Sequence, residues 1–258
     1  MKKVLLSAAI AAALLSSSAF AAPSGGLDLT VGSSNVSKNY GDGKSVAVGG
    51  FVNIDKDTSL NASVSNVEAW KSNGTYYSIG GVRQLTDRLY VDGGVGFSRD
   101  TNILAKNRFT AKANYRLTER KNIVASIGYD HIEMNGDSKA DALLLGALWY
   151  VPNVPVVVQA DARFSNATPG DHGSHLYGVA VTYGRVGQWT VTGRADTGTV
   201  GYESTIVPGQ LVDYTSRHQA ITGRYWMAKD WGFQVALDNV TNKYYDRKEV
   251  RTSVFYNF

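Results

Sequence analysis

In several extended segments, charged side chains recur at every second or fourth position, on the polar one of the two alternating sets of residues, which we call the polar parity. They are the residues of this chain whose types and spacing could do chemistry. They are Arg108, Lys112, Arg116, Asp130, Asp161, Arg163, Arg194, Asp196, Arg224, Asp238 and Arg251. Side chains two or four positions apart on a strand point to the same face. These charges should therefore line one surface of a sheet and act together on whatever lies beside it.

Two kinds of chemistry fit such a lining. Rings of Arg or Lys favour anions in a pore, and rings of Asp or Glu favour cations. Opposite charges such as Asp161 and Arg163 can instead pair and brace an interior, because buried charges are usually paired. We expect bracing for any single pair. The row Arg108, Lys112 and Arg116 carries one sign on one segment, so an anion-favouring channel stays open as the alternative.

The histidines form the second candidate set. The order of the predicted strands brings His131, His172, His175 and His218 close to one rim of the fold. The other side chains predicted at this level are Asp130, Glu133, Asp171, Ser174 and Asp213. A hydrolytic site needs a nucleophile, a base and an orienting group within hydrogen-bond reach of one another, so a hydrolase using this rim is an alternative. Two neighbouring histidines are too few for a metal site, and we predict no metal and no cofactor.

The elements that must position these residues are β-strands, because one parity of each segment is apolar and the other is polar. The clearest segments are 108–117, 122–130, 154–164 and 231–238, and weaker ones lie near Leu27, Val46, Leu60, Tyr77, Val91, Leu144, Tyr177, Val191 and Ile221. Together with the closing segment they predict an all-β fold, a transmembrane antiparallel β-barrel of about 14 strands, within a range of about 12 to 16.

The first residues of the chain predict export. Lys2 and Lys3 precede an apolar run over 4–15, and the small residues Ala19 and Ala21 fit a signal-peptidase site. We predict a signal peptide over residues 1–21 that is cleaved off, followed by one barrel domain over residues 22–258. No later stretch reaches the roughly eighteen apolar residues of a membrane helix, so only strands could cross a membrane.

The aromatic residues favour a membrane barrel over a soluble β-sandwich or lipocalin-like barrel, which would also alternate apolar and polar residues. Trp189, Trp231, Tyr256 and Phe258 lie near predicted periplasmic ends of the apolar strand faces, where an aromatic girdle would be. The last strand alternates in the same way and Phe258 is its final residue. Outer-membrane barrels finish in this manner.

Composition excludes further classes of protein. The formal net charge of +4, to which Lys2 and Lys3 contribute, is too small to favour a nucleic-acid partner. The chain has no Cys, although export would permit disulfides, so backbone ladders and packing must hold the fold.

The connections between strands are predicted to alternate in length. Short turns lie near 55–58, 85–88, 118–121, 151–153, 185–187 and 228–230, and longer loops lie near 37–43, 100–105, 134–139, 166–173, 203–212 and 242–247, with 71–74 as a short exception. Short periplasmic turns and longer outside loops are the outer-membrane pattern, so both chain termini should face the periplasm.

The mature chain resembles the YaiO-type outer-membrane β-barrel proteins. The resemblance covers about Gly26 to Phe258 and lies in size, in strand rhythm and in the stretches Asn107-Arg108-Phe109 and 197–204. It implies a barrel in the outer membrane of a Gram-negative bacterium, with no assigned biochemical role and no catalytic residue to carry over. It also implies that Phe258 is an assembly signal read by the barrel-assembly machinery.

The expected function is a passive solute channel or a structural protein of the envelope, and not an enzyme. For the alternative hydrolase, His172-Gly173-Ser174 is similar to the His-x-Ser arrangement of the outer-membrane phospholipase. However, His175 and Leu176 stand where that family has Asn-Gly. The expected partners are outer-membrane lipids and lipopolysaccharide, the assembly machinery, and small solutes or saccharides.

Overall fold

Fourteen antiparallel strands form a closed barrel in the computed structural model. The structure describes residues 24–38, 40–99, 101–134, 138–168, 172–203 and 211–258. The strands are β1 (Gly25–Val36), β2 (Gly43–Asn53), β3 (Thr58–Ala69), β4 (Ser72–Gln84), β5 (Leu89–Ser98), β6 (Ala105–Arg116), β7 (Ile123–Met134), β8 (Lys139–Tyr150), β9 (Val156–Thr168), β10 (His172–Arg185), β11 (Trp189–Glu203), β12 (Leu211–Trp226), β13 (Trp231–Asn242) and β14 (Asp246–Asn257). The predicted fold class and strand number are confirmed.

The outer surface of the barrel carries the apolar parity of the strands. Leu27, Leu29 and Val31 alternate along β1 and are each at least half exposed, while the intervening side chains turn inward. In β14, Val254 is exposed and Phe255 is buried. This arrangement follows from the pleat, because successive side chains leave a strand on opposite faces.

Aromatic side chains gather on the outer surface near the end of the barrel that carries the chain termini, which we call the terminal end. Trp189, Trp231, Tyr256 and Phe258 are all exposed there. The indoles of the two tryptophans and the phenol of Tyr256 suit a boundary between hydrocarbon and water. They therefore form part of the predicted aromatic girdle.

The first and last strands close the ring. β1 pairs with β14 over its length, from Gly26 opposite Asn257 to Val36 opposite Arg247. The backbone N–H of Gly25 donates to the carbonyl oxygen of Phe258 at 2.9 Å, and Phe258 N–H donates back to Gly25 at 3.0 Å. Closure leaves no open sheet edge, which a strand protein in lipid requires.

The strands extend further at the opposite end, the far end, than the sequence predicts. β7 reaches Met134 rather than Asp130, and β9 reaches Thr168 rather than Phe164. Several connections at this end are correspondingly short, and β9 ends only four positions before β10 begins at His172, although β1 and β2 and likewise β5 and β6 lie seven positions apart. The predicted alternation in loop length is wrong for this reason. Beyond the apolar stretch both faces of a strand are polar, so periodicity no longer marks the strand.

The shortest connection at the far end is a two-residue turn between β3 and β4, formed by Trp70 and Lys71. Both residues adopt a left-handed conformation, with φ of 53° and 61°. Two consecutive positive φ values give the type I′ turn, whose twist matches the flanking strands. The indole of Trp70 is buried against the barrel interior.

Two apolar clusters occupy the interior at the far end. One contains Val36, Tyr214 and Tyr245, and the other contains Val67, Trp70, Ile103 and Leu104. The side chain of Tyr40 packs against both clusters. The interior at this end is therefore narrowed by apolar groups that four connections and three strands supply together.

No helix long and apolar enough to cross a membrane occurs among the described residues. The predicted signal peptide, Asp171 and the side chain of Asp213 lie outside what the structure describes.

Candidate functional site: the charged interior

The polar parity of the strands faces the lumen, and every residue of the predicted charged lining lies on it. These are Arg108, Lys112 and Arg116 on β6, Asp130 on β7, Asp161 and Arg163 on β9, Arg194 and Asp196 on β11, Arg224 on β12, Asp238 on β13 and Arg251 on β14. Arg194 and Arg251, for example, each lie between exposed outward-facing neighbours along their strands. The strand pleat thus brings charges from separate parts of the chain into one interior.

Asp130 is the centre of a first group of interior charges. Its carboxylate has 0% exposure and accepts from Nε of Arg108 at 2.8 Å and from Nη1 of Arg163 at 2.6 Å. The hydroxyl of Thr110 donates to the same carboxylate. One buried anion therefore joins β6, β7 and β9, and the two arginines offset the cost of removing it from water.

A second group begins with Arg194 on β11. Its Nη2 lies 2.8 Å from Oδ2 of Asp161 and 2.5 Å from Oδ1 of Asp196. Nδ1 of His218 lies 2.7 Å from the other oxygen of Asp196, and Nε2 of His218 lies 3.0 Å from Oδ1 of Asp238. The imidazole thus joins carboxylates of β11 and β13, and no sequence spacing revealed this bridge.

The same group continues onto β14. Nη2 of Arg251 lies 2.5 Å from Oδ2 of Asp238, and its Nε lies 3.5 Å from Oε1 of Glu249. Glu249 in turn pairs with Arg247 at 3.1 Å. Basic and acidic side chains alternate throughout this set, which we call the charge belt. The charge belt consists of Asp161, Arg194, Asp196, His218, Asp238, Arg251, Glu249 and Arg247.

Gly178 on β10 makes room for the charge belt where it passes from β9 to β11. A Cβ atom at this position would lie 2.7 Å from Oδ2 of Asp161 and would also collide with Asp196 and Arg194. The missing side chain is what lets Arg194 reach Asp161 across an intervening strand. Sequence inspection gave no reason to connect this glycine with the charges.

In the closed barrel, the three cations of β6 do not form an uncompensated positive row. Arg108 pairs with Asp130, and Nζ of Lys112 lies 3.0 Å from Oδ1 of Asp92 on β5. Arg116 instead donates to neutral acceptors, the Asp87 carbonyl at 2.8 Å and Oε1 of Gln84 at 3.1 Å. Two of these three cations are thus locally compensated, as bracing requires.

The remaining arc of the interior is lined by small side chains. We define the small-residue wall as Thr30, Gly32, Ser45, Ala47, Ser63, Ser65, Ser78 and Gly80, which are partly exposed on the lumen faces of β1 to β4. Ser63 and Ser78 share a hydrogen bond of 2.7 Å across β3 and β4. None of these side chains carries a charge. The lumen therefore has a polar, uncharged wall beside a tightly packed charged one.

The structure separates the histidines that the sequence places at one rim. His172 and His175 lie in β10 rather than in a loop, and the hydroxyl of Ser174 shares a hydrogen bond with Ser165. His218 lies seven residues inside β12 and is buried in the charge belt, so its predicted place at the rim is wrong. The strands continue beyond the apolar stretch, so His172, His175 and His218 all lie within strands rather than at the predicted rim positions.

The rim groups that do meet are a histidine and a carboxylate on the outer surface. Nδ1 of His131 lies 2.7 Å from Oδ1 of Asp141, which also accepts from the hydroxyl of Tyr129. Glu133 bonds instead to Asn107 and Lys106. In the described part of the chain, no cluster of three or more metal-ligating His, Cys, Asp or Glu side chains is found.

Several lumen-facing charges were not predicted from the sequence. Glu249 and Arg247 share the parity of Arg251 and could have been found from it, and Asp92 shares the parity of the glycines of β5. Asp28 also faces the lumen from β1. Apolar and polar residues alternate less regularly near these charged positions, so the sequence did not show which of them face the lumen.

Residues 26–203 match the family described as the YaiO membrane beta barrel domain. The chain belongs to this family. The YaiO match covers β1 to β11, so the part of the charge belt on β12 to β14 lies beyond the matched residues. No curated protein is significantly similar to the chain in sequence.

Solved structures share the barrel of this YaiO protein at low sequence identity. The CymD monoaromatic hydrocarbon channel superposes with a TM-score of 0.58 at 8% identity, covering 91% of this chain and 88% of that one. The toluene transporter TodX of P. putida gives 0.56 at 13% identity, covering 91% and 89%. A bacterial polysaccharide outer membrane secretin gives 0.56 at 10% identity, covering 91% and 98%. These likenesses establish the fold and, with the family, a place in the outer membrane of a Gram-negative bacterium.

Proposed function

We propose that this YaiO-family barrel is a passive channel for small polar solutes. The observation that carries the proposal is the division of the interior into the charge belt and the small-residue wall. Transport proteins of this architecture admit solutes through a polar lumen enclosed by an apolar outer surface. A solute would move beside the small-residue wall, where hydroxyl groups and backbone can exchange hydrogen bonds with it.

The arrangement of the charges supports a narrow path rather than a wide one. Asp130, Asp196 and Asp238 are buried, each against at least one cation. Paired charges hold β6 to β14 together and fill part of the lumen. A barrel of about fourteen strands lies between small filled barrels and open porins, so packing on one side leaves a limited passage on the other.

Conductance in planar lipid bilayers tests the proposal. We expect the purified, refolded barrel to give stable single-channel steps in KCl. Ser63→Trp should lower the step size at least twofold, because it places a bulky ring on the small-residue wall. Val64→Trp is the matched control, since Val64 is the next residue of β3 and faces outward.

Persistent silence of the correctly folded parent protein would contradict the channel and favour a structural role in the envelope. Equal conductance of the Ser63→Trp and Val64→Trp variants would show that solutes pass elsewhere. Correct folding is checked by the heat-dependent shift in gel mobility that intact outer-membrane barrels show.

A further inference from the structure

Arg116 and Arg224 differ from the other arginines of the lumen in their partners, and an inference that rests on the proposed channel follows from this difference. Arg108, Arg163, Arg194, Arg247 and Arg251 each form an ion pair with a carboxylate. Among the residues that the structure describes, neither Arg116 nor Arg224 forms one. No carboxylate of the described residues is therefore paired directly with either guanidinium.

Arg116 is held by neutral groups. Its guanidinium donates to the backbone carbonyl of Asp87 and to the side-chain amide of Gln84, at 2.8 and 3.1 Å. Its Cζ atom also lies 5.2 Å from the centre of the Tyr90 ring. The carboxylate of Asp87 points away, with 96% exposure, and lies 3.8 Å from Lys121. Arg116 is thus fixed in position without losing its charge.

Arg224 is held by aromatic rings. Its Cζ atom lies 3.7 Å from the centre of the Phe255 ring and 4.9 Å from that of Trp226. Its Nε atom is buried and has no hydrogen-bond partner among the described residues. Asp28 on the lumen face of β1 is the carboxylate that acts on this guanidinium, and the two do not form an ion pair. A ring face attracts a cation through its quadrupole and adds no negative charge.

Both arginines lie at the terminal end of the lumen. Arg116 is the last residue of β6, and Arg224 is two residues from the end of β12. β6 and β12 are six strands apart in the ring of fourteen, so the two guanidinium groups approach the lumen from nearly opposite sides. Charges of one sign around a low-dielectric opening add their fields within it.

We propose that Arg116 and Arg224 form an anion-selecting mouth at the periplasmic end of the channel. The favoured solutes are small anions, such as chloride, inorganic phosphate and short carboxylates. The selecting charge comes from these two arginines and not from the paired cations Arg108 and Lys112. Neutral acceptors and ring faces keep both guanidinium groups in place while leaving their field directed at the solute.

Reversal potentials across a KCl gradient in planar bilayers test the mouth directly. The parent channel should favour chloride over potassium roughly twofold or more, and the double variant Arg116→Gln/Arg224→Gln should reduce this ratio to about one. Neither substitution breaks an ion pair between described residues, so the variant should fold. Arg185→Gln is the matched control, because Arg185 is exposed at the terminal end of β10 and should leave selectivity unchanged.

A second comparison distinguishes the effect of the two mouth arginines on ion selectivity from that of the paired charges. Removing the ion pair with Lys112→Gln/Asp92→Asn should leave the reversal potential unchanged, because both signs are lost together. In the parent channel, preference for chloride should also weaken towards about 1 M salt, where the screening length is about 3 Å.

The outcomes distinguish this inference from the function on which it rests. Conductance without anion preference, or anion preference that survives the Arg116→Gln/Arg224→Gln change, would overturn the mouth and leave the channel intact. Absence of conductance in the folded parent would overturn the channel and the mouth together.

Discussion

Asp130 shows at the level of a single residue why the interior charges are structural. Its carboxylate is fully buried and touches two arginines, so its charge is compensated by both neighbours. A buried ion pair is costly to break by removing one member, because the other members remain desolvated without a counter-charge. The cost of losing the anion should therefore exceed that of losing an exposed one.

Replacing Asp130 with Asn should destabilise the barrel by about 3 kcal/mol, since Arg108 and Arg163 would lose their shared anion. The measurement is urea-induced unfolding of the protein refolded into lipid vesicles, followed by tryptophan fluorescence. Asp87→Asn is the control, because the Asp87 side chain is 96% exposed and its pair with Lys121 spans 3.8 Å. An equal effect of both changes would show that Asp130 does not brace the interior.

At the level of the strand, β10 makes the charge belt possible because Gly178 has no side chain on its lumen face. β9 and β11 flank it and carry Asp161, Arg194 and Asp196, while β10 has Gly178 between them. The sheet hydrogen bonds fix the positions of all three strands. The side chains of the outer two can therefore meet only if the middle strand leaves space on its lumen face.

Gly178→Ala should cost about 1 to 3 kcal/mol, because its Cβ atom would force Arg194 and its acidic partners apart. Gly193→Ala on β11 is the matched control, since a Cβ atom there meets nothing within 4 Å. The control should be neutral or slightly stabilising, because alanine restricts the unfolded chain more than glycine does. Comparison of the two unfolding midpoints in urea checks this, and indistinguishable midpoints would remove the role assigned to Gly178.

For the whole molecule, the apolar clusters at the far end and the charges further inside act in series along any path through the lumen. Tyr40 contacts both clusters, and its ring centre lies 5.8 Å from that of Tyr245. Apolar constrictions hinder ions because they favour the loss of water from the path. The far end should therefore limit conductance while the terminal end sets its selectivity.

Tyr40→Ala should raise single-channel conductance at least twofold and leave the reversal potential unchanged, because it removes the link between the clusters without altering any charge. Tyr177→Ala, on the exposed outer surface, serves as the control. A conductance equal to that of the parent would place the limiting constriction elsewhere.

For the whole barrel, we predict that Phe258 acts in assembly. Its backbone closes the seam with Gly25, while its ring is exposed on the outer surface. Phe258→Ala keeps the seam hydrogen bonds, so we expect it to reduce the amount of barrel in the outer membrane more than it reduces the unfolding free energy of the refolded protein. Tyr256→Ala removes a neighbouring ring from the same girdle. Equal membrane levels for Phe258→Ala and the parent would exclude an assembly role.

Much of the barrel could be predicted from the sequence because the determining rule is local. The pleat sends successive side chains to opposite faces, so alternation alone placed Val254 outside and Arg251 inside and gave the strand number. The rule fails where both faces are polar, and this is why β10 and β12 begin earlier than predicted and why His218 lies inside the barrel.

What only the tertiary structure decided is which charges meet. Parity puts Asp196, His218 and Asp238 on the lumen face, but their contact depends on the register between β11, β12 and β13. Likewise, the pairing of Lys112 with Asp92 and the lack of an ion pair at Arg116 follow from the position of β6 beside β5. Register and closure are properties of the complete ring, since each strand is fixed by both neighbours. The sequence by itself therefore determined the faces of the barrel, and closure of the ring determined which interior charges are compensated.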